Sequence, residues 1–255
     1  QLILSKIIVF QDLDYEFTRF IMSGFVFILA YNFHIKFSFR RNKKVGVAIY
    51  LDKTENVKDV FSKVGFHPDF IHVDMVDKTM NEKVDNPDLI KFDEIKKTWP
   101  NHKIETHIMS KKPSMYIDKF STHSDVIYFH NEIDENVEDI RQLILNKGCR
   151  SGIVVHSSKE NKNLSIIINK FKEILILCID RPGESGQKFM NNAISLIEEI
   201  NINKDRSKFL LCVDGGLSEE SIKNIDCDKI VSASNVFKNI NPKKQIKNLQ
   251  KILNK

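Results

Sequence analysis

The sequence predicts an α/β protein built as a (β/α)8 TIM barrel, preceded by a short apolar N-terminal segment of helical character. From residue 44 onward, eight apolar runs alternate with segments in which apolar residues recur at helical spacing. Most runs are continuous and rich in β-branched residues, as expected for strands buried on both faces. No linker rich in Gly, Ser or Pro divides residues 44–255, so they are predicted to form one domain. A doubly wound open sheet is the alternative arrangement.

The eight apolar runs have the length of strands rather than of helices. In chain order they are VGVAIYL (45–51), FIHVD (70–74), KIETHIM (103–109), DVIYFH (125–130), SGIVVH (151–156), ILILCID (174–180), FLLCVD (209–214) and KIVSAS (229–234).

Amphipathic segments lie between these runs. The first has Val57, Val60, Phe61 and Val64 on one helical face, with Thr54 as the expected N-cap. The same spacing recurs in four later groups: Val137, Ile140 and Ile144; Leu164, Ile167, Ile168 and Phe171; Phe189, Ala193, Ile197 and Ile200; Ile246, Leu249 and Leu253.

Residues 1–43 differ in composition and are predicted to be an N-terminal extension that contacts a membrane. Residues 20–33 are almost uncharged and rich in aromatic side chains, and HIKFSFRRNKK follows them. A basic flank is typical of the cytoplasmic side of a membrane helix, although the apolar run is shorter than the ~20 residues that span a bilayer. The expected location is the cytoplasm, at the inner face of a membrane. An extra helix packed on the barrel, or a misplaced gene start, are the alternatives.

The composition is that of an ordinary folded protein with reduced thiols. The net charge of +5 comes mainly from lysines spread along the 255 residues, and no basic motif indicates nucleic-acid binding. The four cysteines include no CxxC pair, and Cys178 and Cys212 lie within apolar runs. Buried thiols in a cytosolic compartment are therefore expected.

Four ionisable residues, His72, Asp74, His107 and Asp214, lie at the ends of three predicted strands. The carboxyl ends of barrel strands meet at one mouth, where the active sites of this fold lie. Alternation along a strand places His72 and Asp74 on the same face. Mixed imidazole and carboxylate ligands suit one divalent ion of Zn, Fe, Mn or Co. Two carboxylates facing one substrate can also exchange a proton with its carbon.

Loops that could bind an anion follow the last three predicted strands, and the first two of them carry glycines. They are RPGESGQK (181–188), Asp214-Gly215-Gly216 and SASNVF (232–237). Backbone N–H groups in such loops can bind a phosphate, and barrels of this type often place a phosphate there. The three loops together predict a phosphate site beside the four ionisable residues.

At these residues the chain resembles the ribulose-phosphate 3-epimerases, from about Val45 to Phe237. FIHVDMVD is similar to that family's HxDxMDG segment, DRPGESGQKFM to its NPGFGGQKF loop, and CVDGGLSEESI to its VDGGxxxxT segment. Three further segments match in the same order: THIMSKKPSMYI, DVIYFHNE and KIVSASNVFK.

The resemblance implies a homo-oligomeric isomerase that interconverts D-ribulose 5-phosphate and D-xylulose 5-phosphate by inversion at C3. It implies that His72, Asp74, His107 and Asp214 bind the metal, and that Asp74 and Asp214 are the acid/base pair acting through an enediolate. Met109 would pack over the intermediate. The other substrate-binding residues implied are Gly183, Ser185, Gly186, Gly215, Gly216, Ala233 and Ser234.

The chain departs from the family pattern around the pocket. The serine expected at the end of strand one is replaced by Tyr50 or Leu51, and a carboxylate, Glu184, lies in the first phosphate loop. The other departures are Val76, Lys78, Cys178 and Ala233. One alternative is therefore a catalytically impaired or regulatory descendant that binds sugar phosphate. Another is a different phosphate-binding barrel enzyme, similar to phosphoribosylanthranilate isomerase or thiamin-phosphate synthase.

Overall fold

Each predicted strand pairs in parallel with the next along the chain, and the eighth pairs with the first. A computed structural model describes residues 42–53, 55–158 and 164–255. The closed barrel confirms the predicted fold and excludes the open sheet. Its strands are β1 (Lys44–Tyr50), β2 (Phe70–Val76), β3 (Ile104–Met109), β4 (Val126–His130), β5 (Arg150–His156), β6 (Glu173–Leu177), β7 (Leu210–Asp214) and β8 (Lys229–Ser232).

Helices follow the strands on the outside of the barrel. They are α1 (Val57–Val64), α2 (Leu89–Thr98), α3 (Ser114–Phe120), α4 (Val137–Asn146), α5 (Leu164–Lys170), α6 (Asn192–Asn201), α7 (Glu219–Lys223), α8 (Ser234–Phe237) and α9 (Pro242–Leu253), with a 3-10 turn at Arg206–Lys208. The cap expected for α1 was wrong. Asn56 is the N-cap and accepts from the Lys58 N–H, whereas Thr54 lies outside the described residues.

The strands separate two apolar layers. Val73, Ile108 and Ile176 face outward into the layer beneath the helices. The alternate residues face inward, and Phe70 and Tyr128 are the large side chains of that inner layer. Two glycines make room for them, since a Cβ on Gly46 or Gly152 would lie 2.3 Å from the ring of Phe70 or Tyr128.

A buried ionic cluster fills the barrel at the amino-terminal ends of its strands. Lys229 Nζ lies 2.7 Å from Glu105 Oε1, 3.0 Å from Glu173 Oε2 and 2.9 Å from the Tyr128 hydroxyl. Arg150 also pairs with Glu173. Burial alone would lower the pKa of Lys229, but the surrounding negative groups raise it above its ordinary value. The charges are therefore paired, as buried charges must be to be tolerated.

The predicted N-terminal extension lies largely outside the described residues. Of residues 1–43, only Asn42 and Lys43 are described. Lys43 belongs with the barrel, because its Nζ lies 2.6 Å from Asp226 Oδ1 and its N–H donates to Asn254. The apolar run at 20–33, and the membrane contact expected of it, are outside this range. Among the helices from Val57 onward that the structure describes, none is long and apolar enough to cross a bilayer.

Candidate metal centre

His72, Asp74, His107 and Asp214 converge inside the carboxyl-terminal mouth of the barrel. Asp74 is the register partner of His107, which brings β2 and β3 side by side at this level. β2 continues two residues further than the sequence suggested, to Val76, and β3 ends at Met109 as predicted. The four side chains are consequently buried below the rim, with exposures between 0% and 8%.

The ligand atoms of the four residues surround one point. Asp74 Oδ1 lies 3.4 Å from His72 Nε2 and 3.4 Å from His107 Nδ1, and His107 Nδ1 lies 3.8 Å from Asp214 Oδ2. One atom from each residue lies within 4.8 Å of the others. Bonds of roughly 2.0–2.1 Å in a tetrahedron separate neighbouring ligands by about 3.4 Å. The spacing therefore fits a small divalent cation.

Several of these atoms have no other polar partner. Both ring nitrogens of His72, Asp74 Oδ1 and His107 Nδ1 are buried and make no hydrogen bond to any residue that the structure describes. Buried polar atoms are normally paired, and an unpaired one costs roughly 1–3 kcal/mol. A cation at their common centre would satisfy three of the four residues at once, and the donor set is one that Zn, Fe, Mn or Co accepts.

Asp74 and His107 have pKa values shifted in directions that favour opposite charges. Burial alone would raise the pKa of Asp74, but polar interactions with His107 and His72 hold it below its usual range. Burial alone would lower the pKa of His107, but Asp214 and Asp74 raise it to about 9. The site thus stabilises a positive charge beside two carboxylates.

A third histidine, His130, contacts His107 from outside the four-residue group, and the sequence had not singled it out. His130 Nε2 lies 2.9 Å from His107 Nε2, and His130 Nδ1 lies 3.4 Å from Glu132 Oε1. Burial lowers the pKa of His130 to about 4. The available signal was the DVIYFHNE segment, in which His130 ends the strand next to β3.

A cavity opens directly above the four residues. It contains about 460 Å³ of atom-free space, part of it open to solvent. Asp74 and Asp214 lie in its wall, whereas His72 and His107 lie beneath it. All eight residues expected to bind substrate line it: Met109, Gly183, Ser185, Gly186, Gly215, Gly216, Ala233 and Ser234.

Two glycines are required where the loops after β6 and β7 pack closely against their neighbours. Gly183 has φ +79° and a Cβ there would lie 2.7 Å from Val76. Gly216 has φ +66° and a Cβ there would lie 2.3 Å from the backbone nitrogen of Phe189. A side chain at position 183 would hold its loop away from the end of β2, and one at position 216 would hold the loops after β6 and β7 apart. Glycine at both positions therefore allows these backbones to line the cavity.

The structure also places the residues that depart from the family pattern. Tyr50, not Leu51, lines the cavity, and Leu51 packs beneath the helices. Burial, followed by the charges of Asp74 and Asp214, raises the pKa of Tyr50 well above its ordinary value, so its phenol stays neutral. Glu184 lies in the wall, and its Oε2 is 3.0 Å from Arg181 Nη2.

Comparison with known sequences gives consistent matches. The sequence model of the ribulose-phosphate 3 epimerase family matches residues 47–237. The ribulose-phosphate 3-epimerase of Escherichia coli K12 is 30% identical over 158 residues, which cover 60% of this chain and 70% of that one. The enzyme of the same name from Buchnera aphidicola of Baizongia pistaciae is 29% identical over 207 residues, covering 77% and 89%.

Solved structures with the same fold are more distant in sequence. 3-hexulose-6-phosphate synthase from Salmonella typhimurium aligns with a TM-score of 0.60 at 15% identity, covering 82% of this chain and 98% of that one. Orotidine 5'-monophosphate decarboxylase from Sulfolobus solfataricus aligns with a TM-score of 0.57 at 13% identity, covering 83% and 97%. Similarity at such low identity shows the fold alone.

Proposed function

The chain belongs to the ribulose-phosphate 3-epimerase family, and we propose that it inverts C3 of D-ribulose 5-phosphate, or of a related ketose phosphate, with Asp74 and Asp214 as its acid/base pair. The family and its relatives identify it as an isomerase that acts on a carbohydrate. The roles given to individual residues are the proposal.

The observation that carries the proposal is the placement of the two carboxylates. Asp74 comes from β2 and Asp214 from β7, and both lie in the wall of one cavity. Inversion needs a base at one face of the carbon and an acid at the other. One aspartate takes the C3 proton, which leaves the C–H electron pair in an enediolate. The other aspartate donates a proton to the opposite face, and the C–H bond reforms with inverted configuration.

One divalent ion, Zn, Fe, Mn or Co, is the proposed cofactor, held by His72, Asp74, His107 and Asp214. When bound, the ion supplies a Lewis acid that stabilises negative charge developing on the substrate oxygens. The unpartnered nitrogens of His72 and the 3.4 Å contacts of Asp74 Oδ1 support this assignment. Its positive charge also favours the ionised form of both carboxylates near neutral pH.

The loops after the last three strands are the proposed phosphate site. The loops after β6 and β7 contain four glycines with positive φ, a conformation that residues with side chains rarely adopt: Gly183, Gly186, Gly215 and Gly216. Successive N–H groups in such turns form concave sites for anions. Ser185, Ala233 and Ser234 complete the proposed contacts. Met109, only 2% exposed, would keep water from the reacting carbon.

Proton exchange at C3 tests this function. Ribulose 5-phosphate incubated with the full-length protein in deuterium oxide should acquire deuterium at C3, which proton NMR detects. Asp74→Asn and Asp214→Asn should each lower the exchange rate by at least about 100-fold, because general acid–base groups contribute about that much or more. Asp118→Asn is the matched control, since Asp118 is exposed and pairs with Lys147.

Two results would contradict the proposal in different ways. Exchange at the wild-type rate in both active-site variants would remove the aspartates from the mechanism. Binding of ribulose 5-phosphate by the metal-loaded wild-type protein without any exchange would favour the alternative, a sugar-phosphate-binding descendant without activity. The altered residues Tyr50, Glu184 and Ala233 in the cavity wall motivate that alternative.

A further inference from the structure

We propose that His130 is a positioning residue, which holds His107 in the tautomer that presents Nδ1 to the metal centre, and that Glu132 anchors His130 in turn. This inference rests on the proposed metal centre. It adds a hydrogen-bonded chain, His107–His130–Glu132, that runs away from the centre through the barrel wall.

The contact between the two imidazoles is direct and buried. The Nε2 atoms of His107 and His130 are 2.9 Å apart, and both side chains are fully buried. Their rings are nearly parallel, with an interplanar angle of 16° and centroids 5.0 Å apart. Two ring nitrogens at this distance form a hydrogen bond only if one carries a proton and the other offers a lone pair.

The surroundings of His107 determine which nitrogen carries the proton. Its Nδ1 faces Asp74 Oδ1 at 3.4 Å and Asp214 Oδ2 at 3.8 Å and has no hydrogen bond in the described part of the chain. A neutral imidazole that offers Nδ1 to a cation carries its proton on Nε2. His107 Nε2 therefore donates to His130 Nε2.

The same reasoning then fixes His130. If its Nε2 accepts, a neutral His130 carries its proton on Nδ1. That atom lies 3.4 Å from the carboxylate oxygen Oε1 of Glu132. The backbone carbonyl of Glu132 accepts from Lys111 Nζ, a contact that also ties the residue to the loop after β3. The chain therefore ends on a carboxylate, as outer hydrogen-bond chains of metal-binding histidines commonly do.

His72 provides the internal contrast. Neither of its ring nitrogens makes a hydrogen bond within the described residues, and its ring is 6.2 Å from that of Tyr128. No hydrogen bond to a described residue outside the four-residue group orients His72, whereas such a chain orients His107. Removal of the His130 hydrogen bond should therefore affect the orientation of His107 but not that of His72.

Metal affinity is the direct test, because it does not depend on turnover. The full-length protein is stripped of metal, and its affinity for zinc is measured by competition with a chromophoric chelator. His130→Phe keeps a ring of similar size but removes the acceptor, and should weaken zinc binding by about 10–100-fold. His130→Gln, whose amide oxygen can accept from His107, should recover most of that loss. His123→Phe is the matched control, because His123 pairs with Asp93 away from the site and should leave zinc affinity unchanged.

Two spectroscopic measurements report on the tautomer itself. Cobalt bound in place of zinc should show an altered visible spectrum in His130→Phe but not in His123→Phe. In the zinc-loaded wild-type protein, long-range proton–nitrogen NMR should show His107 protonated at Nε2 and His130 at Nδ1. The NMR measurement needs no variant, so it applies even if His130→Phe does not fold.

The outcomes separate the two proposals. If the wild-type protein binds no zinc or cobalt, the metal centre itself is wrong. If the wild type binds metal while a folded His130→Phe keeps its affinity and spectrum, the metal centre stands and the role of His130 is wrong. Protonation of His107 at Nδ1 in the zinc-loaded protein would also overturn that role.

Discussion

Glu184 places a carboxylate in the loop proposed to bind the substrate phosphate, and Arg181 lies close enough to neutralise it. The two side chains are 3.0 Å apart and both are partly exposed. The guanidinium therefore offsets a negative charge that would otherwise repel the phosphate. A partly exposed pair of this kind contributes roughly 0–1 kcal/mol. A glutamate at position 184 is thus compatible with phosphate binding as long as Arg181 is present.

Without Arg181, the negative charge of Glu184 should weaken binding of the substrate phosphate. Arg181→Ala should raise KM for ribulose 5-phosphate by up to about fivefold, corresponding to about 1 kcal/mol, with little change in kcat. Arg181→Ala combined with Glu184→Gln should return KM toward the wild-type value, and added salt should reduce the difference. Steady-state kinetics at low ionic strength measures both. An equal KM in the single and double variants would show that Glu184 does not act on the phosphate.

At the scale of the elements, the loops after β6 and β7 pack together through Gly216. Two features require glycine at this position: its φ of +66°, and the backbone nitrogen of Phe189, which would lie only 2.3 Å from a Cβ. The first is conformational and the second is steric. The contact is with backbone, which cannot rotate away as a flexible side chain would. These loops therefore shape the proposed phosphate site as one unit.

Gly216→Ala should disturb the packing of these two loops more than the same substitution disturbs the structure at a glycine without close neighbours. We expect it to lower the free energy of unfolding by roughly 2–4 kcal/mol from backbone strain and overpacking together, and to raise KM. Gly148→Ala is the matched control, since its φ is +82° but no atom lies within 4 Å of the added Cβ. It should cost only about 1 kcal/mol and leave KM unchanged. Urea unfolding and kinetics compare the pair, and equal effects would mean that loop packing is unimportant.

The elements also show what the sequence could predict. Continuous β-branched runs identify all eight strands, and alternation places His72 and Asp74 on one face without knowledge of the fold. The end of β2 was misjudged because Met75 and Val76 continue the pairing with β3 past Asp74. The sequence did not single out His130 because its proposed role depends on a ring-to-ring contact with His107 across neighbouring strands. Periodicity along one strand carries no information about such a contact.

At the scale of the whole molecule, the ionic cluster around Lys229 fills the end of the barrel opposite the proposed metal centre. Its contacts join residues 124 and 56 positions apart in the sequence, so only the closed barrel brings them together. Loss of Lys229 would leave Glu105 without a hydrogen-bond partner among the described residues. Breaking a buried pair in this way is far more costly than losing a surface charge.

Lys229→Met should therefore lower the free energy of unfolding by roughly 3–5 kcal/mol. Lys172→Met, at an exposed position just before β6, should change it little. The deficit of Lys229→Met relative to the wild type should shrink as the pH falls toward about 4, because the orphaned carboxylate can then take up a proton in the folded state. Urea unfolding at neutral and acidic pH measures both effects. A deficit that grows at acidic pH would contradict this explanation.

The central claim is that His72, Asp74, His107 and Asp214 hold one cation beneath the cavity. The most direct measurement is an anomalous difference map from crystals of the zinc-loaded protein, recorded on both sides of the zinc absorption edge. We expect one peak, bonded at about 2.0–2.2 Å to His72 Nε2, Asp74 Oδ1, His107 Nδ1 and Asp214 Oδ2. A map from active protein with no peak among these four side chains, or with its peak elsewhere, would contradict the claim.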